Sequence, residues 1–330
     1  MKERNVLFAI CKFIFCICII IMHCVVPFKG SYIFEGAYIF VDFFFIFQGY
    51  YIFDKIVSHE SPLRETLAYV KKRIVRFFPC TLIVALAYVA VDIYINRCST
   101  YLTFLRFVAR ISFLGMVFPR LALSAQHLWF LSASIVSGGA CVFLLCFLKR
   151  KIFIYIPILV CLIDYYLISA YGNMDVWWEL VFGVLCIGLV RAFGDILLGM
   201  LCKYIRNKIK NKRISIHKRR ILLITFIIMV LACVYGIVIY PHTRYDCVFI
   251  LIFGMMIVVG DFCNYFSKNI FLNLIDRLTM PMYIFQMIFI ELFRNKFSGN
   301  IVVYVLACDI ICSIMWVMVE NNRNNLRMKI

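Results

Sequence analysis

The chain has 330 residues, 65% of them hydrophobic and only 16% charged, with a mean hydropathy of +0.95. A soluble domain carries about a quarter charged and roughly half apolar residues, so a water-soluble globule is excluded and a polytopic helical membrane protein is expected. The formal charge of +18 does not point to nucleic acid, because the basic residues sit in short clusters between apolar runs, as topology-setting charges do.

Apolar runs long enough to span recur at residues 6–28, 33–53, 74–95, 128–148, 152–171, 176–190, 221–240, 247–260, 278–293 and 301–319. They predict an all-α bundle of ten transmembrane helices and a single integral-membrane domain over residues 1–330. The first run is too long for a signal-peptide core and no small-residue cleavage site closes it, so it is expected to be retained. It carries Lys12 and His23. Their spacing sets them about 16 Å apart along a helix and nearly on one face. Two ionisable groups on one intramembrane stripe mark a site between helices. A neutral imidazole there can act as general base on a hydroxyl. The plainer readings are a snorkelling lysine and an interfacial histidine without a task.

The second run buries Asp42 in a phenylalanine-rich stretch, and Gly49 there allows close helix approach. An intramembrane acid is costly unless partnered, so Asp42 is either catalytic or the partner of a buried cation. Lys71, Lys72, Arg73 and Arg76 lead into the third helix from the cytoplasm. Arg73 and Arg76 share a face, and such forked guanidiniums bind phosphates; a topology-setting cluster is the alternative. Residues 101–117 are apolar with Arg106 and Arg110 one turn apart, which predicts an interfacial or re-entrant helix over the outer mouth. His127 and Trp129 open the fourth run, as a site or as an aromatic belt. Trp177, Trp178 and Glu179 enter the sixth, where Glu179 either orients a histidine (His23 or His127) or stands as a boundary carboxylate in water.

The segment 191–220 is densely basic and is expected to be a cytoplasmic loop against anionic lipid headgroups or a polyphosphate patch. With the N-terminus in the cytoplasm, the outside segments hold only Lys29, Arg97, Arg106, Arg110, Arg120, Arg244, Arg294 and Lys296 of the 35 Lys and Arg. That bias puts both termini inside. The 16 cysteines lie mostly within apolar runs and have no zinc-ligand or disulfide spacing, so no metal and no essential disulfide is expected.

Four motifs in order resemble those of the membrane acyltransferase 3 family: Lys12 and His23 with ten residues between them, Arg73-x-x-Arg76, the second-helix stretch from Val41 to Tyr50, and His127-Leu-Trp129-Phe-Leu131. The chain departs from the family pattern at Lys12, where arginine is more frequent, at Gln48, where serine is usual, and at Gln286, where histidine is often found. The resemblance implies an O-acyltransferase in a bacterial cytoplasmic membrane that uses acetyl-CoA as co-substrate and acts on a carbohydrate or lipid-linked glycan. It implies donor binding by Lys12, Arg73 and Arg76. It implies chemistry at His23, as general base or transient acyl carrier, with Asp42, His127 and Glu179 as further catalytic candidates and Trp129 and Gln48 toward the acceptor. Some members carry an added esterase-like domain, which is not expected here. The rival readings are a transporter or flippase of lipid-linked glycan, which the intramembrane ions suit but the lack of paired half-repeats does not, and a non-catalytic scaffold.

Overall fold

The computed structural model describes residues 4–29, 34–54, 61–95, 97–113, 115–116, 128–148, 155–181, 185–209, 215–239, 243–263, 265–293 and 301–327. Eleven α-helices run through them in chain order. They are α1 (Val6–Lys29), α2 (Phe40–Phe53), α3 (Pro62–Tyr94), α4 (Thr100–Ile111), α5 (Trp129–Leu148), α6 (Ile156–Tyr171), α7 (Ile187–Ile209), α8 (Ile216–Ile239), α9 (Asp246–Cys263), α10 (Ile270–Phe293) and α11 (Ile301–Arg327). A 3-10 turn, Glu35–Ile39, leads into α2.

Seven of these segments are long and apolar enough to cross a membrane: α1, α2 with its 3-10 turn, α3, α5, α8, α9 and α11. The molecule is thus a polytopic helical bundle. The face of α8 that carries Ile221, Ile224, Ile228, Leu231 and Tyr235 is exposed at helical spacing, as a lipid-facing stripe is. α7 and α10 are as long as the spanning helices but more charged, and both contribute to the site described below.

Local chemistry explains where the helices begin. Asn5 caps α1: its Oδ1 accepts from Leu7 N at 3.0 Å, and its Nδ2 donates to Gly260 O at 3.0 Å, fixing this end against α9. Arg4–Asn5 also pairs antiparallel with Phe266–Ser267. The N-cap of α3 is Ser61, whose Oγ accepts from Arg64 N at 3.4 Å, with Pro62 in the first turn. α3 therefore starts well before the expected residue 74, and Arg73 and Arg76 lie inside a long helix rather than at its entry. Hydropathy stops at the charged turns; the Ser-Pro start marks the true beginning.

The expected sixth helix, 176–190, is corrected. Residues 177–179 form a turn, and Leu180–Val181 pairs antiparallel with Leu185–Cys186. Ile187 N then donates to Glu179 O at 2.9 Å and Gly188 N to Trp177 O at 3.1 Å, closing the turn onto the start of α7. The helix runs over Ile187–Ile209, so residues 191–209 of the expected basic loop 191–220 are helical and Arg191 is buried. The outer segment 101–117 resolves into the shorter α4, folded back on α3 by Arg106 and Arg110, which bind the two oxygens of Asp92 at 3.1 and 2.8 Å. Tyr101, Phe104 and Val108 face outward from it.

The most extensive helix pair is α2 against α7. Two glycines permit it: a Cβ on Gly49 would overlap the carbonyl of Ile196, and one on Gly199 would overlap that of Ile46. The close approach expected of Gly49 is therefore to α7. Beside this crossing, the Phe15 ring stacks on Phe40 at 4.1 Å and meets Phe43 edge-on at 4.9 Å.

Candidate active site

A cavity of about 500 Å³ lies among α1, α2, α3, α5 and α10. It brings together Lys12, Gln48, Arg73 and Arg76, four residues that the sequence separates by up to 64 positions, and adds Arg4 and Asp276. Lys12 Nζ pairs with Asp276 Oδ1 and sits 4.6 Å from the centroid of Phe47. Arg4 pairs with the other oxygen of the same carboxylate. The Arg73 guanidinium lies 5.4 Å from the Tyr69 ring and 5.8 Å from Phe77, and Arg76 lies 5.7 Å from Phe77. Aromatic faces hold both arginines without neutralising them. Four cations against one carboxylate make this wall a site for an anion.

Gln48 closes one side of the same cavity in a local knot. Its Nε2 donates to Ser134 O and Tyr69 Oη, both at 2.8 Å, and its Oε1 accepts from Ser134 Oγ at 2.5 Å. A side chain on Gly138 would break this knot, since a Cβ there would meet Tyr69 Oη and Gln48 Nε2. Gln48, expected toward the acceptor, thus lies in the wall with the cationic groups.

The charged stripe of α1 faces α10, which runs parallel to it. Lys12 meets Asp276, Cys16 Sγ donates to Thr279 O at 3.4 Å, and His23 Nδ1 lies 3.1 Å from Gln286 Oε1. Lys12 and His23 therefore do share a face. Gln286 is buried, and its Nε2 donates to Tyr283 O at 3.0 Å. That bond fixes which end of the amide meets the histidine. An amide oxygen can only accept, so Nδ1 carries the proton and Nε2 keeps its lone pair. His23, partly buried, stands beyond the cavity rather than in its wall.

Asp42 is buried in a second cluster between α2 and α7. Arg191 grips it with Nε at 2.5 Å from Oδ1 and Nη2 at 2.8 Å from Oδ2. The same guanidinium donates to Met174 O at 2.8 Å and Tyr38 O at 3.1 Å. Asp246 continues the network, accepting from Tyr38 Oη at 2.7 Å and Met174 N at 2.8 Å. The partner-to-a-cation reading of Asp42 thus has its cation. Trp129 belongs to this cluster: its ring lies 5.8 Å from the Arg191 guanidinium and stacks on Trp177 at 5.7 Å with planes 7° apart. Glu179 is exposed and accepts from Trp178 Nε1 at 3.1 Å; the group beside His23 is Gln286. His127 falls outside the described residues.

Arg4, Asp276, Gln286 and Arg191 are the residues the sequence did not assign. Arg191 falls in the expected basic loop and Asp276 lies two residues before the expected run 278–293, so neither is read as the counterion of an intramembrane charge.

These features define a polytopic membrane protein with an anion-accepting cleft inside its helical bundle and a histidine just outside the cleft's lining. The chain belongs to the membrane acyltransferase 3 family: the family's acyltransferase domain matches residues 8–320, from α1 almost to the end of α11. It is accordingly a multi-pass membrane acyltransferase. No curated protein and no solved structure matches it.

Proposed function

We propose that this chain is an O-acyltransferase of the bacterial cytoplasmic membrane that moves an acetyl group from cytoplasmic acetyl-CoA to a hydroxyl of a surface or lipid-linked polysaccharide. The observation that carries the reading is the gathering of Lys12, Arg73 and Arg76 in one cavity, on the side where the charge bias puts the cytoplasm. Its volume of about 500 Å³ falls in the usual range for small-molecule sites. Forked guanidiniums suit the phosphates of CoA, and Lys12 adds a point charge further along. The pantetheine arm then points toward Phe130 and Tyr283, with the thioester leading.

The acceptor comes from the outer side, where Trp177, Trp178 and Glu179 stand. His23 Nε2 removes the proton of its hydroxyl as the oxygen attacks the thioester carbonyl. The tetrahedral adduct collapses, the carbon–sulfur bond breaks, and the CoA sulfur takes the proton from the imidazolium. The products are an O-acetyl ester and free CoA thiol. Gln286 positions the ring and sets its tautomer. Asp42 acts through Arg191 on the architecture of the outer half rather than on the reacting atoms. Surface glycan from cells with and without the gene tests the reading: O-acetyl groups are expected to disappear with the gene. Unchanged O-acetyl content rejects a polysaccharide acceptor.

A further inference from the structure

Phe130 and Tyr283 line the cavity beyond its cationic residues, and His23 stands just outside that lining. Along α10 its lining runs from Asp276 to Tyr283, and along α2 from Tyr51 back to Phe44. Both directions lead away from the cationic end. At the far end the Phe130 ring meets Tyr283 edge-on at 5.2 Å and Phe44 at 6.1 Å. Phe130 and Tyr283 are 7% and 5% exposed, so neither ring has slack to swing into solvent. Phe130 is also held by Phe45, with centroids 4.7 Å apart. Gln286 stands one turn beyond Tyr283 and donates to the Tyr283 carbonyl, so these rings neighbour the His23–Gln286 pair.

We propose that Phe130 and Tyr283 determine the length of the acyl group this enzyme accepts, admitting a short acyl-CoA and excluding longer ones. The inference rests on the donor reading above. With CoA phosphates at the cationic end, the acyl group is the leading tip and reaches the rings first. An acetyl group ends there. Each added methylene must displace a ring already packed on its neighbours, and packed interiors resist such insertion. Truncating either ring opens space at the tip without touching Lys12, Arg73 or Arg76. The hydroxyl of Tyr283 has no part in this; the ring does.

The test is competition of acetyl-, butyryl- and hexanoyl-CoA against labelled acetyl-CoA on the full chain in lipid nanodiscs. In the wild type, hexanoyl-CoA is expected to compete roughly tenfold or more less well than acetyl-CoA, the scale on which a pocket discriminates by methylenes. Phe130→Ala and Tyr283→Ala are expected to narrow that ratio by about tenfold, whereas Tyr283→Phe leaves it unchanged. The ratio is internal to each variant, so a loss of folded protein does not mimic the effect. Phe130→Leu, a gentler change, is expected to give a partial shift if the alanine variant does not fold. Equal binding of hexanoyl- and acetyl-CoA by the wild type, or an unaltered ratio in every truncation, overturns the proposal. If acetyl-CoA itself does not compete, the donor reading falls and this inference with it.

Discussion

Gln286 gives His23 a defined chemical state. Its amide is pinned by the Tyr283 carbonyl, so the oxygen faces Nδ1 and the lone pair of Nε2 is left for the base role proposed for it. Gln286→Leu removes the acceptor at similar size. It is expected to lower kcat for acyl transfer by roughly 10- to 100-fold, as loss of an orienting group does, with KM for acetyl-CoA little changed because the donor wall is elsewhere. A rise in KM with unaltered kcat would make Gln286 a binding residue instead. Lys12, Arg73 and Arg76 were legible because each of their spacings lies within one helix, where periodicity is readable. Gln286, Asp276 and Arg191 were not, because their partners lie 263, 264 and 149 positions away. No local pattern encodes a contact of that range.

At the scale of elements, the crossing of α2 and α7 organises the outer half of the bundle. It depends on backbone contact at Gly49 and Gly199 and on the ion pair of Asp42 and Arg191. Gly199→Ala forces the helices apart and is expected to destabilise the fold by about 1–3 kcal/mol, as overpacking does, read as a lower thermal unfolding midpoint in detergent. An unchanged midpoint would mean that the approach tolerates a Cβ. Removing one member of the buried pair leaves the other charge unpaired. Arg191→Met is therefore expected to cost about 3–5 kcal/mol, and Asp42→Leu together with Arg191→Met less than either single change. Additive losses would deny the coupling. Hydropathy locates nearly every helix but misplaces α7. Arg191 scored alone reads as a loop charge although Asp42 neutralises it, so the expected helix stops at residue 190, just short of it.

For the whole molecule, the account is one of sides. The cationic residues of the cavity lie by the N-terminus of α1 and the start of α10, and the charge bias assigns that side to the cytoplasm. The Lys12–Asp276 and His23–Gln286 contacts tie α1 to α10 along this axis, so the cationic end and the histidine end are fixed relative to each other. All-helical polytopic architecture was legible from the apolar runs, since runs near 20 residues fit membrane helices whereas barrel strands are about half as long and alternate. The cavity was not, because its lining is gathered from five helices distant in sequence. The most direct test of the account is transfer of label from acetyl-CoA to glycan in membranes holding equal amounts of wild-type and His23→Ala protein. The account predicts that His23→Ala abolishes transfer while acetyl-CoA binding persists. Full transfer by His23→Ala would contradict it.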